Sequence, residues 1–261
     1  MDSIDFPFEN EMPSEAKIGL TALLNRSEFK TLRRPTWLPE TSSAIDDFAA
    51  SKYGGLPWLG QHEAWPICNA CDRPMHFLLQ LNLSQLPRQA YGDGIIQLFY
   101  CKREDCEETE KWLSSAVSLA RLIEVGVPSR LVSVSEGPDD PFPVVLITKW
   151  KQQIDYFPHL SQLHTLGIEL TDREHDLLAD WGPLVTSDKL AGWPAWIQWP
   201  QPMQCDVCQK AMQHVYQFEP HTNLHYSFGQ EYFERQVDYG CGWIFQCPQH
   251  KSHLAFTWQC Q

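Results

Sequence analysis

Cys68 and Cys71 form a CxxC pair that is followed by Cys101 and Cys106, and Cys205 and Cys208 form a second CxxC pair that is followed by Cys247 and His250. Two residues between cysteines allow a tight knuckle that turns both sulfurs toward one ion. A second two-ligand turn brought near by the fold then completes a tetrahedral shell. Four donors of this softness suit zinc better than iron, and a closed shell leaves no position for substrate, so the two sets predict two structural Zn2+ ions. The eighth ligand is the least constrained, because His253 lies close to His250. Cys241 and Cys260 stand outside both sets and read as small buried packing residues. A thioredoxin-like dithiol is the competing use of CxxC, but neither pair has a βαβ setting.

Both sets fall in register within an internal repeat. Lys52, Gly55, Pro57, Cys68, Cys71, Met75 and Gln80 recur without a gap, 137 positions on, as Lys189, Gly192, Pro194, Cys205, Cys208, Met212 and Gln217. Beyond that block the offset grows to 146, so that Gly94, Phe99 and Cys101 return as Gly240, Phe245 and Cys247. Repeats at a fixed spacing indicate duplicated structural units, and here the second unit carries the longer internal loop.

The elements that must position these ligands are short. Each half reads as a Gly-Pro turn, the knuckle, a strand (Phe77–Leu81; His214–Phe218), a loop, and a strand running into the third ligand. Apolar and aromatic runs of this length bounded by Gly, Pro and Asp favour strand over helix. Ser118–Glu124 and Pro143–Thr148 read as two further strands. Helical spacing over Pro13–Glu28 predicts an N-terminal helix with Ser14 as its N-cap, and Leu160–Asp180 contains helix. The expected architecture is α+β, mainly β, with two pseudo-symmetric halves. Residues 1–50 form an N-terminal extension, 51–150 the first repeat, 151–187 a partly helical connection and 188–261 the second repeat.

The 261 residues are 43% hydrophobic and 20% charged, and the net charge is −13, which excludes disorder and opposes generic nucleic-acid binding. No apolar run approaches the roughly 20 residues of a membrane helix, and the acidic N-terminus is unlike a signal peptide. Nine cysteines in such a chain point to metal in a reducing compartment, and a cytoplasmic location is expected.

Ser51-Lys-Tyr-Gly-Gly-Leu-Pro-Trp-Leu, Trp65-Pro, the first CxxC, Phe77-Leu-Leu-Gln-Leu-Asn-Leu, Gly94-Ile-Ile-Gln-Leu-Phe-Tyr-Cys, Val145-Leu-Ile-Thr-Lys-Trp and Asp155-Tyr-Phe-Pro resemble the bacterial YwqG-like family from about residue 50 onward. The knuckles followed by a Leu-Leu-Gln strand also look like programmed cell death protein 2 and its ribosome-assembly relatives, which are grouped with YwqG-like proteins as TYPP domains. That resemblance implies an internally duplicated fold and a chaperone-like role. Its eukaryotic members hold a newly made ribosomal protein.

Trp58, Trp65, Trp193, Trp196 and Trp199 lead into the two knuckles and either fill the core or line a peptide groove. Gln80 and Gln217, repeated in equivalent strands, satisfy buried backbone or contact an extended client. The acidic run Glu104–Glu110 and the pair Asp139-Asp140 are solvated faces or attract a basic client. Lys102-Arg103 is too small a patch for nucleic acid. The enzyme motifs GxSxG, P-loop, GxGxxG and HExxH are absent from the sequence, His62-Glu-Ala-Trp meeting Pro66 at the fifth position. His159, His164 and His175 share one segment without a nucleophile. The expectation is therefore a non-enzymatic, chaperone-like protein-binding module with a basic client. A hydrolase or transferase with an open second zinc site is the alternative.

Overall fold

The computed structural model describes residues 4, 6, 10–43, 45–102, 105, 106, 117–124, 130, 132–218 and 240–260. The apolar runs pair as strands, as their length and bounding turns require. They are β3 His76–Asn82, β4 Ile95–Tyr100, β5 Ser118–Ile123, β8 Gln213–Phe218 and β9 Gly240–Gln246. The run expected over Pro143–Thr148 is longer than predicted and continues through a polar stretch as β6, Val145–Asp155. Four strands escaped the periodicity: β1 Arg34–Ser42, β2 Lys52–Tyr53, β7 Lys189–Ala191 and β10 Leu254–Cys260. β1 hides because it holds Pro35 and Pro39, which argue against an interior strand. It tolerates them because β7 pairs only with Thr36 and Trp37, between the two prolines.

All ten strands form one antiparallel sheet in the order β10-β9-β8-β7-β1-β6-β2-β3-β4-β5. The order is symmetric about the β1–β6 pair. β1 precedes the first repeat in sequence but pairs with β7 of the second, and β6 precedes the second repeat but pairs with β2 of the first. The registers match, with Trp37 opposite Leu190 as Val145 is opposite Tyr53. The halves therefore exchange a strand and share one core, in which Leu79, Phe99, Tyr216 and Ile244 belong to the same apolar cluster. The Tyr53 and Tyr216 hydroxyls meet at the centre, and Tyr53 donates to Asp188 at 2.8 Å.

The outer strands curl back toward each other, making the sheet a near-barrel. The Tyr100 ring meets Phe256 edge-on at 6.2 Å, although among the described residues no hydrogen-bonded ladder joins β5 to β10.

The N-terminal helix divides at Asn25 into α1 Ser14–Leu24 and α2 Ser27–Leu32. Ser14 is not the cap. Pro13 holds that position with φ −58° and ψ 140°, and Ser14 is the first helical residue with no side-chain capping bond. The Leu160–Asp180 region holds two 3-10 turns and α3, Asp172–Trp181, which Thr171 and Glu174 start with a reciprocal capping box. Leu20, Leu24, Phe29, Phe157 and Leu178 bind these helices into a second core.

Candidate metal centres

Each knuckle is a tight turn closed by its own backbone. Cys68 N–H donates to Arg73 O at 2.8 Å and Asp72 N–H to Cys68 O at 2.9 Å; Cys205 N–H donates to Lys210 O at 3.0 Å and Gln209 N–H to Cys205 O at 2.7 Å. Both turns need a left-handed residue at the same place, Asp72 (φ 55°) and Gln209 (φ 58°). The second ligand turn of each half leaves the end of the neighbouring strand, with Cys101 following β4 and Cys247 following β9. Strand pairing β3–β4 and β8–β9 thus carries one ligand turn to the other.

The donors converge. Sulfur separations are 3.9 Å for Cys68–Cys106 and 3.7 Å for Cys71–Cys101. In the second set Cys208–Cys247 is 3.6 Å, and His250 Nδ1 lies 3.7 Å from both Cys205 and Cys247 sulfur. All donor atoms of each set lie within 4.8 Å of one another. A tetrahedral zinc ion with Zn–S of about 2.3 Å places its sulfurs about 3.8 Å apart, so both sets fit the ion's own polyhedron. Four donors fill that polyhedron, and the ion would supply cross-linking of two turns rather than reactivity.

Electrostatics favour thiolate at Cys247. Burial pushes its thiol up, but the backbone N–H groups of His250 and Gln249 and the neighbouring Cys205 and Cys208 outweigh it and bring the group to about 6. The balance at Cys68 has the same sign, with burial opposed by the Ala70 and Cys71 backbone. His253 is not in the donor set; its ring meets that of the candidate ligand His250 edge-on at 5.7 Å, and its N–H donates to His250 O. Cys241 is separate from the metal donors, 2% exposed, and its thiol donates to Phe218 O. The Cys260 side chain and residues 103, 104 and 107–110 of the acidic and basic runs lie outside the description.

The other predicted residues are placed as follows. Trp58, Trp65 and Trp196 are buried, with Trp65 Nε1–H donating to Met75 O and Trp196 stacked on Phe245. Trp193 is half-buried and donates to Leu32 O, and Trp199 is 74% exposed. Gln80 and Gln217 are fully buried and do the same work. Each side-chain oxygen accepts from the loop before its knuckle, at Trp58 N–H and Ala195 N–H, and each amide NH2 donates to two carbonyls, Phe48 and Ala50 or Thr186 and Ser187. Asp140 carries charge between His76 and Lys102, at 2.8 Å from each. His159 hydrogen-bonds Ser161, while His164 and His175 have the carboxylates of Glu169 and Asp176 at 3.4 and 3.9 Å.

Sequence reasoning missed a duplicated ion pair that holds each Gly-Pro turn. Lys189 Nζ lies 2.9 Å from Asp155, which also accepts Trp193 N–H at 2.7 Å; Lys52 pairs with Asp46, which accepts Leu56 N–H at 2.8 Å. A Cβ on Gly192 or Gly55 would strike the respective carboxylate at 2.0 or 2.6 Å. The repeated lysines were the available signal, but their partners lie on β6 and in the β1–β2 connection, outside the repeated block.

The class defined by the fold and site is a mainly β protein, a strand-exchanged, duplicated near-barrel with one four-donor cluster per half that could hold a metal ion. No helix among the described residues is long and apolar enough to cross a membrane. The chain belongs to the family described as domain of unknown function DUF1963, whose model matches residues 51–233, from the first repeat through β8. Comparison with curated proteins finds no match.

Proposed function

We propose that this protein is a non-enzymatic, chaperone-like binding module for a basic protein segment, its two halves fixed by two structural zinc ions. The observation that carries the reading is the seam between β5 and β10. Among the described residues each strand is paired on one side only, and between them lies a groove of about 730 Å3 lined by Leu119, Ala120, Ala255, Phe256, Met203 and Met212. An extended segment entering it can add a strand to either edge, with affinity from backbone hydrogen bonds and adaptable apolar contact from the methionines. Asp206 on the groove wall and the net charge of −13 favour a basic segment. The resemblance to YwqG-like and TYPP proteins supports the same reading.

The test is titration of the metal-loaded protein with lysine- and arginine-rich peptides of about ten residues, followed by hydrogen exchange. Micromolar binding that protects amides of β5 and β10, and that is lost in Ala120→Trp and Ala255→Trp, supports the module. Absence of binding, or protection elsewhere, refutes it.

A further inference from the structure

The two halves differ in what covers the loop between the Gly-Pro turn and the knuckle. Within the gapless block of the repeat, His62, Glu63 and Trp65 of the first half stand where Trp199, Pro200 and Pro202 stand in the second. In the first half the connection from β5 to β6 lies across this loop. Arg130 N–H donates to Leu59 O at 3.2 Å, and its guanidinium Nε donates to Glu63 O at 2.9 Å. Val132 is buried behind it, and Gly137 rests on the Trp65 indole so closely that a Cβ would meet the ring at 2.8 Å. The first half thus shows what this surface takes: a chain segment led by an arginine, read through the carbonyls of the loop.

The second half presents the corresponding surface to solvent. Trp199 is 74% exposed, whereas every other described tryptophan is buried or half-buried, and Pro202 is exposed as well. The exposed indole stands on a rigid support. Gln259 of β10, 1% exposed, accepts the Ile197 and Gln198 N–H groups at 3.2 and 3.0 Å and donates to Trp199 O at 2.8 Å. Its counterpart in β5 is Ile123, opposite Ile95 in the register as Gln259 is opposite Cys241. The first half folds with an apolar residue at that place and a histidine at position 62, so the buried amide and the exposed indole are particular to the second half. A platform held in place before binding loses little entropy on contact.

This surface is continuous with the seam between β5 and β10, because Gln201 and Pro202 also line the groove there. Asp206 lies further along the same wall, and the net charge of −13 favours a cationic partner. A guanidinium can stack by its face on an indole and donate from its edge at the same time, which an ammonium cannot. The chain already uses the stacking half of this arrangement where Arg34 lies over the Trp193 ring.

We infer, resting on the reading of the seam as a client groove, that residues 196–202 select a client segment carrying an arginine. The client guanidinium lies on Trp199 and donates to Pro200 O, as Arg130 donates to Glu63 O in the first half. The client chain then passes Pro202 into the groove, as the first half's own chain passes over Trp65 at Gly137.

The probes are the peptide Lys-Ser-Arg-Leu-Val-Ser-Val-Ser-Lys-Gly, patterned on residues 129–137, and two versions with lysine or citrulline in place of its arginine. Each is titrated into the metal-loaded protein by calorimetry while the tryptophan indole N–H signals are followed by NMR. The arginine peptide should saturate at micromolar concentration and move the Trp199 signal, and the lysine and citrulline peptides should bind at least about fivefold more weakly. Trp199→Ala removes an exposed side chain, so it should keep the metal content and Tm while bringing the arginine peptide down to the affinity of the lysine peptide. Equal binding of the arginine and lysine peptides, or an arginine preference that Trp199→Ala leaves intact, overturns this inference and leaves the client groove standing. Failure of all three peptides to saturate by about 1 mM overturns both.

Discussion

Removing Asp155 leaves the buried Lys189 ammonium without a carboxylate partner among the described residues. The Asp155 and Lys189 side chains are 3% and 2% exposed, and their separation is 2.9 Å. Burial raises the carboxyl and lowers the ammonium, while mutual attraction opposes both shifts. Deleting one partner of such a pair costs about 3 to 5 kcal/mol, because the survivor remains buried and unpaired. Asp155→Ala also orphans Trp193 N–H. For a chain of this length the loss corresponds to a drop in Tm of about 5 to 10 °C. Asp46→Ala is the matched control. The Asp46 side chain is 24% exposed, so water can take its place, and Lys52 keeps a 3.0 Å bond to Asp47 O. Its cost should be about half or less. Thermal and urea unfolding at fixed free zinc measures both, and Asp155→Leu combined with Lys189→Met should recover much of the single-variant loss. Equal destabilisation by the two alanine variants, or a double variant no better than Asp155→Ala, would refute the stranded-charge reasoning.

Protein purified without added metal should carry about two zinc ions per chain by mass spectrometry, falling by about one in Cys68→Ser and in Cys205→Ser, while Cys241→Ala leaves the content unchanged. Strong chelation should lower Tm by removing both cross-links. Gln217→Leu should cost about 2 to 4 kcal/mol in urea unfolding, since it leaves Ala195 N–H and the Trp243 indole N–H without their shared acceptor. Two parallel bonds from Arg130, then the Ser133 N–H, hold the Glu136 carboxyl down to about 2. A carboxyl depressed on folding stabilises the native state above its unfolded value and loses that contribution as pH falls toward 2. Carbon-13 NMR should show native Glu136 untitrated between pH 5 and 4, and Arg130→Gln should bring its titration into that window.

The sequence by itself determined the parts of this protein that depend on local spacing. Cys-x-x-Cys can close only a tight turn, repetition at a constant offset marks equivalent turns and strands, and short apolar runs between turn residues pair as strands. The eight donors, the two strands that follow each knuckle and the N-terminal helical segment follow from those rules. The tertiary structure decided everything that depends on long-range partners. The exchange of β1 and β6 is invisible locally, because a strand carries no mark of which half will accept it, and the prolines of β1 conceal even its type. Asp155 and Lys189 are ordinary charges in the chain and become a buried pair only when β1 is inserted between β6 and β7. Burial and the loss of water, which no spacing records, turn scattered residues into an ion pair and an open seam.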